Sequence, residues 1–272
     1  MSTHTERCER FLALHHADSP LLLPNAWDAG TAKLFAAMGY GAVATTSAGH
    51  ASTLGRLDGH VTLDEIVEHA ATLAAATDVP VSVDFENGFA DDPAGVAANV
   101  ARLAATGVAG CSVEDFTRRA DDPIYELEYA AERVAAAAEA AHASGSRPRL
   151  VLTARAENLL HGRTDLDDTI ARLQAYQAAG ADVLYAPGLH SIDDIRRVVA
   201  AVDLPVNVLA LPGVPPVREL AAAGVRRVSV GSGFSLVALS ATVDAARELL
   251  ESGTYGFWGA VGSASAARAA FG

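Results

Sequence analysis

Two short apolar runs end in acidic residues: Pro80-Val81-Ser82-Val83-Asp84 and Ala109-Gly110-Cys111-Ser112-Val113-Glu114-Asp115. Runs of this length and composition are typical of buried strands in a parallel sheet. Glu86 follows the first run closely, so we expect carboxylates from both strands to collect at one edge of the sheet. That arrangement suits a hard divalent cation that holds an anionic substrate.

Similar runs recur along the chain and alternate with Ala-rich helical segments. We predict strands near Leu21–Pro24, Ala42–Thr46, Val81–Asp84, Gly110–Glu114, Leu150–Ala154, Val183–Ala186, Val206–Leu209 and Val228–Gly231. Glycines stop the helices before several strands, as in Ala178-Ala179-Gly180-Ala181. The pattern predicts an α/β fold, a (β/α)8 TIM barrel that forms one domain over residues 1–272, with a C-terminal helical tail at about 240–272.

Composition excludes several classes of protein. The chain of 272 residues has a net charge of −13 and no run rich in Lys or Arg, which argues against nucleic-acid binding. No apolar stretch approaches the roughly 20 residues that cross a bilayer, and the polar start is not a signal peptide, so we expect a cytoplasmic protein. Two cysteines provide no disulfide framework. Lys33 is the one lysine and falls in a helix, which disfavours a Schiff-base aldolase.

Polar residues follow the other predicted strands as well. The active site of a TIM barrel forms at the carboxyl ends of its strands, so these residues are the candidates for chemistry. They are Asn25-Ala26-Trp27-Asp28, Thr46-Ser47-Ala48-Gly49-His50, Thr153-Ala154-Arg155-Ala156-Glu157, Asn207, Ser229 and Gly231. We therefore expect carboxylates, hydroxyl groups and one arginine to lie close together at the carboxyl ends of the strands.

These motifs together resemble the isocitrate lyase/phosphoenolpyruvate mutase superfamily. The resemblance rests on Pro24–Asp28, Thr46–Gly49, Leu54-Gly55-Arg56-Leu57-Asp58, Asp84-Phe85-Glu86-Asn87-Gly88-Phe89, Val113–Asp115 and Ala154–Glu157, in that order along the chain. It implies a magnesium-dependent barrel enzyme that makes or breaks C–C or P–C bonds beside an α-oxo or α-hydroxy carboxylate. It also implies a homo-oligomer, a dimer or tetramer, in which a C-terminal helix is exchanged between subunits.

The resemblance further implies a set of metal ligands. Asp84 would bind Mg²⁺, or Mn²⁺ in its place, directly, while Asp58, Glu86 and Glu114 would hold metal-bound waters. Mg²⁺ keeps several waters in most protein sites, which agrees with this assignment. Glu86 departs from the aspartate that most members carry. The alternative is that Asp84 and Glu114 cap the loops or helices that follow them.

Other residues would bind the substrate or act in catalysis. Arg155 is expected to pair with a substrate carboxylate, the alternative being a structural salt bridge to Glu114 or Glu157. The Ser47–Gly49 turn would receive the anion, or would be an ordinary loop. Trp27 would wall the pocket or belong to the core, and Asn207 completes the substrate-binding set. We take Arg155, Glu114 and His50 as catalytic candidates, although a lone loop histidine is more often a bystander.

The segment after Glu114 departs most from the family. Phe116-Thr117-Arg118-Arg119 replaces the Lys-Lys/Arg-Cys-Gly-His loop of isocitrate and methylisocitrate lyases, so neither that lysine nor the cysteine is present. The sequence thus predicts a lyase that cleaves a C–C bond of a small 2-oxo or 2-hydroxy acid through an enolate-like intermediate. Two alternatives remain: an oxaloacetate-type hydrolase or decarboxylase, and a non-catalytic oxo-acid-binding protein.

Overall fold

Nine short parallel strands and the helices between them form the protein in the computed structural model, which describes residues 2–142 and 148–271. The strands are β1 Leu21–Leu23, β2 Asn25–Ala26, β3 Val43–Thr45, β4 Val81–Asp84, β5 Gly110–Glu114, β6 Val151–Arg155, β7 Val183–Tyr185, β8 Val206–Leu209 and β9 Arg227–Ser229. The α-helices are α1 His4–Leu14, α2 Ala29–Ala37, α3 Ser47–Thr53, α4 Leu63–Ala76, α5 Pro93–Ala104, α6 Leu127–Ala141, α7 Leu166–Ala178, α8 Ile192–Ala201, α9 Val217–Ala222, α10 Gly233–Ser252 and α11 Ala264–Phe271. A 3₁₀ helix at Gly256–Ser263 precedes α11.

The predicted TIM barrel is confirmed, with one difference in its first strand. β1 and β2 are two halves of that strand, separated by Pro24, and each half pairs with a different neighbour. β1 pairs with β9 and β2 pairs with β3, while every other strand pairs with its neighbours in chain order. Proline lacks the N–H that a continuous strand needs, so the break falls there. The divided strand closes the barrel from both sides.

Asn25 joins the strands on the two sides of this seam. Its Nδ2 donates to the carbonyl oxygen of Thr45 at 2.7 Å, and its Oδ1 accepts from the backbone N–H groups of Val230 and Gly231 at 3.0 and 2.9 Å. The side chain is buried, so these bonds satisfy backbone groups that water does not reach. Asn25 therefore serves barrel closure.

Small polar side chains line the inside of the barrel, and apolar side chains pack beneath the helices. Thr45, Ser82, Ser112 and Ser229 line the interior cavity. TIM barrels more often fill this space with branched apolar residues. Small interior side chains leave a polar cavity at the carboxyl ends of the strands, where the site forms.

Several predicted boundaries need correction. The helices α1 and α3 lie outside the predicted elements, and α10 begins at Gly233, not near residue 240. The last strand begins at Arg227, one residue before the predicted start at Val228. The glycine stops are confirmed: Gly180 and Gly224 follow α7 and α9 with φ angles of 99° and 90°, which favour glycine.

The C-terminal helices pack on the same chain, and α10 leaves many apolar side chains exposed. α11 contacts α2, and the ring of Phe271 lies 3.7 Å from the position that a Cβ on Gly30 would take. The exposed apolar residues of α10 are Phe234, Leu236, Val237, Leu239, Val243, Leu249 and Leu250. Across the described part of the chain, the helices are too short or too polar to cross a membrane.

Candidate active site

A central cavity of about 170 Å³ lies at the carboxyl ends of the strands. Its lining includes the predicted site residues Ser47, Ala48, Asp58, Asp84 and Arg155. An adjoining cavity of about 390 Å³ shares Ser47, Asp58 and Arg155 with the first and adds Glu86 and Glu114. The structure therefore brings seven of the predicted residues into one region.

Asp84 stands at the end of β4 and is held in place from two sides. The backbone N–H of Ser47, at the start of α3, donates to its Oδ2 at 3.1 Å. Arg155 donates through Nη1 to its Oδ1 at 2.7 Å, and the backbone N–H of Asp84 donates to the hydroxyl of Thr45 at 2.9 Å. The predicted Ser47–Gly49 turn is thus the first turn of a helix, and its first amide positions a carboxylate.

Arg155 pairs with three carboxylates at once. Besides Asp84, its Nη2 lies 3.1 Å from Glu114 Oε2 and 2.8 Å from Glu157 Oε1, and its Nε donates to Glu157 at 2.9 Å. Burial alone would lower the pKa of Arg155, yet Glu114, Glu157 and Asp84 together raise it well above its ordinary value. The structural salt bridges are therefore present, and Arg155 is a permanent positive charge at the cavity mouth.

Negative charge is in excess around Arg155. Burial raises the pKa of Glu114 well above its usual range, although Arg155 opposes the shift, and burial also raises the pKa of Glu157. Both carboxyl groups are thereby made more basic. A further positive charge in the cavity would favour their ionised forms.

Glu86 and Arg118 form an ion pair at the rim, and both have positive φ angles, 46° and 63°. Such backbone conformations cost energy for residues other than glycine and often occur at functional sites. Burial raises the pKa of Glu86 to about 7, while Arg118 acts to lower it. Its Oε1 is buried and has no hydrogen-bond partner within the described residues. Arg118 thus faces the site, while Arg119 lies at the surface beside Asp122.

Asp58 reaches the site from the exposed loop between α3 and α4 and lines both cavities. Arg56 and Glu65 form a salt bridge at 2.8 Å that ties the loop to α4. Asp58 accepts a hydrogen bond from the N–H of Gly59 and lies at the open side of the cavity. It is the most exposed of the predicted metal ligands.

The structure does not bring His50, Trp27 and Gly49 to the central cavity. His50 and Trp27 line a separate cavity between α2, α3 and α4, where His50 stacks on His69 with ring centroids 3.7 Å apart. Burial lowers the pKa of His50, and neither of its ring nitrogens has a hydrogen-bond partner in the described part of the chain. Gly49 packs against Trp27, where a Cβ would lie 2.9 Å from that of Trp27. A catalytic role of His50 stays a prediction.

Two further polar residues lie off the cavity surface. Asn207 is fully buried, donates to Ser229 Oγ and accepts from Arg227 Nε, each at 2.9 Å, so it positions neighbouring side chains. Asp115 accepts hydrogen bonds from Tyr176, Arg172 and the backbone of Glu157. The expected placing of Asp115 beside Glu114 at the rim is wrong, because successive strand residues point to opposite faces.

Arg227 and Tyr185 line the cavity and were not predicted. Tyr185 lies beneath Arg155, whose Cζ is 5.2 Å from the ring centroid. Side chains alternate between the two faces of a strand, so Arg227 lies on the same face of β9 as Ser229. This alternation could have identified Arg227 as a cavity residue if the predicted strand had begun at Arg227.

The donor set fits a hydrated divalent cation. Asp58, Asp84, Glu86 and Glu114 line the two adjoining cavities with carboxylate oxygens, the donors that such a cation prefers, and the buried Oε1 of Glu86 is one of these oxygens. Across residues 2–142 and 148–271, no three His, Cys, Asp or Glu side chains are grouped closely enough to hold a metal directly. Mg²⁺ keeps several waters and needs few direct protein ligands, so carboxylates that do not converge on one point remain compatible with it.

The fold and this acidic cavity around Arg155 define an α/β barrel with a polar site at the carboxyl ends of its strands, and comparisons with known proteins identify its family. A family model described as phosphoenolpyruvate phosphomutase matches residues 11–250. Oxaloacetate decarboxylase 2 of Pseudomonas fluorescens is 34% identical over 200 residues, 72% of this chain and 67% of that protein.

Two solved structures are also similar. A Burkholderia cenocepacia protein, provisionally assigned as a lyase/mutase, is 50% identical with a TM-score of 0.90, over 93% of this chain and 91% of that one. A 2,3-dimethylmalate lyase of the phosphoenolpyruvate mutase/isocitrate lyase superfamily is 26% identical with a TM-score of 0.81, over 94% of this chain and 90% of that one. The chain belongs to the phosphoenolpyruvate mutase family and is an enzyme of this superfamily of lyases and mutases.

Proposed function

We propose that this enzyme is a Mg²⁺-dependent lyase that cleaves a C–C bond of a small 2-oxo or 2-hydroxy carboxylic acid through an enolate-like intermediate. The observation that carries the proposal is the contact of Arg155 with Asp84 and Glu114 at the mouth of a small polar cavity. Asp84, with Glu114, Glu86 and Asp58, would hold Mg²⁺ or Mn²⁺. The cation, when bound, would supply the positive charge that polarises the oxygens of the substrate.

The residues of the chain supply the remaining functions. Arg155 would orient the substrate carboxylate and keep a fixed positive charge beside the carbon skeleton on which negative charge develops. The Ser47 amide holds Asp84 in position. Glu114 is our candidate for moving a proton, because burial raises its pKa and makes the carboxyl group a better proton acceptor.

A second candidate is a decarboxylase or hydrolase of an oxaloacetate-like acid on the same site. The 34% identity to an oxaloacetate decarboxylase favours it. Both candidates need the same binding residues and differ in the bond that breaks, so their products distinguish them. A purified enzyme should be incubated with a panel of 2-oxo and 2-hydroxy acids, with Mg²⁺, Mn²⁺ or a chelator, and the products identified by mass spectrometry.

Metal-dependent turnover of at least one acid supports the proposal, and pyruvate with CO2 as the products of oxaloacetate would select the decarboxylase. Binding without turnover of any acid would favour a non-catalytic role. Asp84→Asn should abolish the metal-dependent rate, whereas Asp78→Asn, at an exposed position in the bend between α4 and β4, should not. Unchanged turnover in Asp84→Asn would overturn the metal assignment.

We also propose that the enzyme is a cytoplasmic homo-oligomer, a dimer or tetramer. The exposed apolar side chains on α10 support this, because monomeric proteins rarely expose large contiguous apolar surfaces. Light scattering coupled to size-exclusion chromatography measures the mass directly, and a monomer at micromolar concentration would contradict the proposal.

A further inference from the structure

A second arginine, Arg227, lies inside the barrel and lines the same cavity as Arg155. It stands on β9 and is only 4% exposed. Its Nε donates to Asn207 Oδ1 at 2.9 Å, its Nη1 donates to Thr153 Oγ1 at 2.9 Å, and Nη1 also lies 3.3 Å from His15 Nε2. These three partners are polar side chains without a negative charge.

His15, one of the three partners of Arg227, is itself uncharged. His15 Nδ1 lies 2.8 Å from the carbonyl oxygen of Phe11, so Nδ1 carries the proton and Nε2 accepts from Arg227. Burial, and then the charge of Arg227, lower the pKa of His15 to about 3. His15 therefore stays neutral at physiological pH and neither offsets nor adds to the positive charge of Arg227.

Arg227 and Arg155 thus differ in how their charge is satisfied. Arg155 is paired with three carboxylates, whereas no carboxylate in residues 2–142 or 148–271 forms an ion pair with Arg227. Nη2 of Arg227 has no hydrogen-bond partner among those residues either. Burial lowers the pKa of Arg227 to about 10, which still leaves it protonated at neutral pH. A buried unpaired charge is costly, so an anion in the cavity would stabilise it.

The two arginines stand at different depths of one cavity. The hydroxyl of Thr153 accepts a hydrogen bond from Arg227, and Thr153 precedes Arg155 by two residues on β6. The side chains of Thr153 and Arg155 therefore both point inward, from positions about 7 Å apart along the strand. Arg227 is therefore one layer deeper than the mouth. A ligand held by Arg155 and the metal at the mouth would extend its other end toward Arg227.

We propose that Arg227 binds a second carboxylate of the substrate, so that the site selects 2-oxo or 2-hydroxy dicarboxylic acids over the corresponding monocarboxylic acids. The proposal rests on the proposed function, because it assumes that the first carboxylate binds at the mouth. A charge-assisted hydrogen bond in a buried site accounts for a preference of about tenfold or more.

Two matched pairs of acids test the proposal: malate with lactate, and oxaloacetate with pyruvate, each differing by one carboxylate. Calorimetry at fixed Mg²⁺ should show that the wild-type enzyme binds the dicarboxylic member at least about tenfold more tightly. Arg227→Gln should weaken its binding about tenfold and leave the monocarboxylic member within about twofold. Arg226→Gln is the matched control, since Arg226 is the exposed residue immediately before β9 and bonds to backbone oxygens outside the cavity.

The outcomes separate the two proposals. Equal affinities within each pair for the wild type, or equal losses for both members in Arg227→Gln, would overturn the role of Arg227 while leaving the proposed function intact. No binding of any of the four acids would overturn the proposed function and the role of Arg227 with it. Arg227→Lys keeps the buried charge if Arg227→Gln does not fold, and should reduce the preference because an ammonium group lacks the planar pair of donors.

Discussion

At the level of single residues, Arg155 controls the charge balance of the cavity mouth. Its guanidinium group contacts Asp84, Glu114 and Glu157, whose side chains come from three different strand ends. The planar group can satisfy several acceptors at once, which a lysine ammonium cannot do in the same geometry. Without the guanidinium group, the carboxylates of Glu114 and Glu157 would lose their ion-pair partner and Asp84 would keep only the Ser47 amide, and poorly paired buried carboxylates are costly.

Arg155→Lys should therefore affect both stability and binding. We expect a loss of about 2 kcal/mol in the free energy of unfolding and an affinity for oxo-acids reduced about tenfold or more. Urea unfolding and calorimetry measure the two effects. Arg172→Lys is the matched control, because Arg172 pairs with the buried Asp115 and lies off the cavity. It should lower stability alone, and an equal loss of affinity in both variants would contradict a binding role for Arg155.

At the level of elements, α3 connects the active site to the outer surface of the barrel. Its first amide holds Asp84, and its Gly49 packs closely on Trp27. The helix is short, so a displacement at one residue moves the amide of Ser47 as well. Packing behind α3 is therefore part of what positions the carboxylate.

Gly49→Ala tests this coupling. The new Cβ would lie 2.5 Å from Thr46 Cγ2 and 2.9 Å from Trp27 Cβ, so side chains or the helix must move. We expect a loss of about 1 to 3 kcal/mol in the free energy of unfolding together with reduced turnover. Gly259→Ala, where a Cβ would contact nothing within 4 Å, should change neither. Wild-type stability in Gly49→Ala would show that α3 has room to adjust.

The stacked histidines of α3 and α4 predict sensitivity to acid. Burial, and then His50, lower the pKa of His69 to about 3, and burial also lowers the pKa of His50. Near neutral pH both are uncharged, so their full contribution is present above the unfolded pKa of about 6.5. As pH falls below that value the unfolded chain binds protons that the folded chain does not, and stability is lost toward pH 3.

His69→Phe should make the free energy of unfolding less dependent on pH in that window, by up to about 1.4 kcal/mol per pH unit. Urea unfolding at pH 7, 5.5 and 4.5 measures the slope. His190→Phe replaces an exposed histidine and should keep the wild-type slope. Parallel pH curves for His69→Phe and the wild type would show that His69 is not buried in its neutral form.

At the level of the whole molecule, closure of the barrel depends on a broken first strand. Pro24 divides it, and the side chain of Asn25 bonds to backbone groups from opposite ends of the chain. The same residue stands at the start of the segment that resembles the superfamily motif. The hydrogen bonds of Asn25 show that this position of the motif helps to close the sheet.

Asn25→Leu keeps the size of the side chain and removes its donor and acceptor. The backbone groups of Thr45, Val230 and Gly231 would lose their partner, and we expect the free energy of unfolding to fall by about 3 kcal/mol. Asn25→Asp retains acceptors for the two amides and should lose less. Urea unfolding distinguishes them, and equal stability of Asn25→Leu and the wild type would contradict the role of Asn25 in closure.

The sequence by itself determined the barrel, the positions of most strands and the carboxylates at their ends. These features depend on short-range patterns: apolar runs of strand length, glycines that stop helices, and acids where the runs stop. Asp84, Glu86, Glu114 and Arg155 were therefore found as neighbours, because the carboxyl ends of parallel strands meet at one edge of a sheet.

Only the tertiary structure decided which of these side chains face the cavity. A shift of one residue turns a strand side chain to the other face, so Asp115 points away from the site and Arg227 points into it. Likewise, His50 follows the right strand but lies on the far side of α3, against His69. The contacts of Arg155 and those of Arg227 join residues that are distant along the chain. Such contacts are set by strand register and barrel closure, which local patterns do not encode.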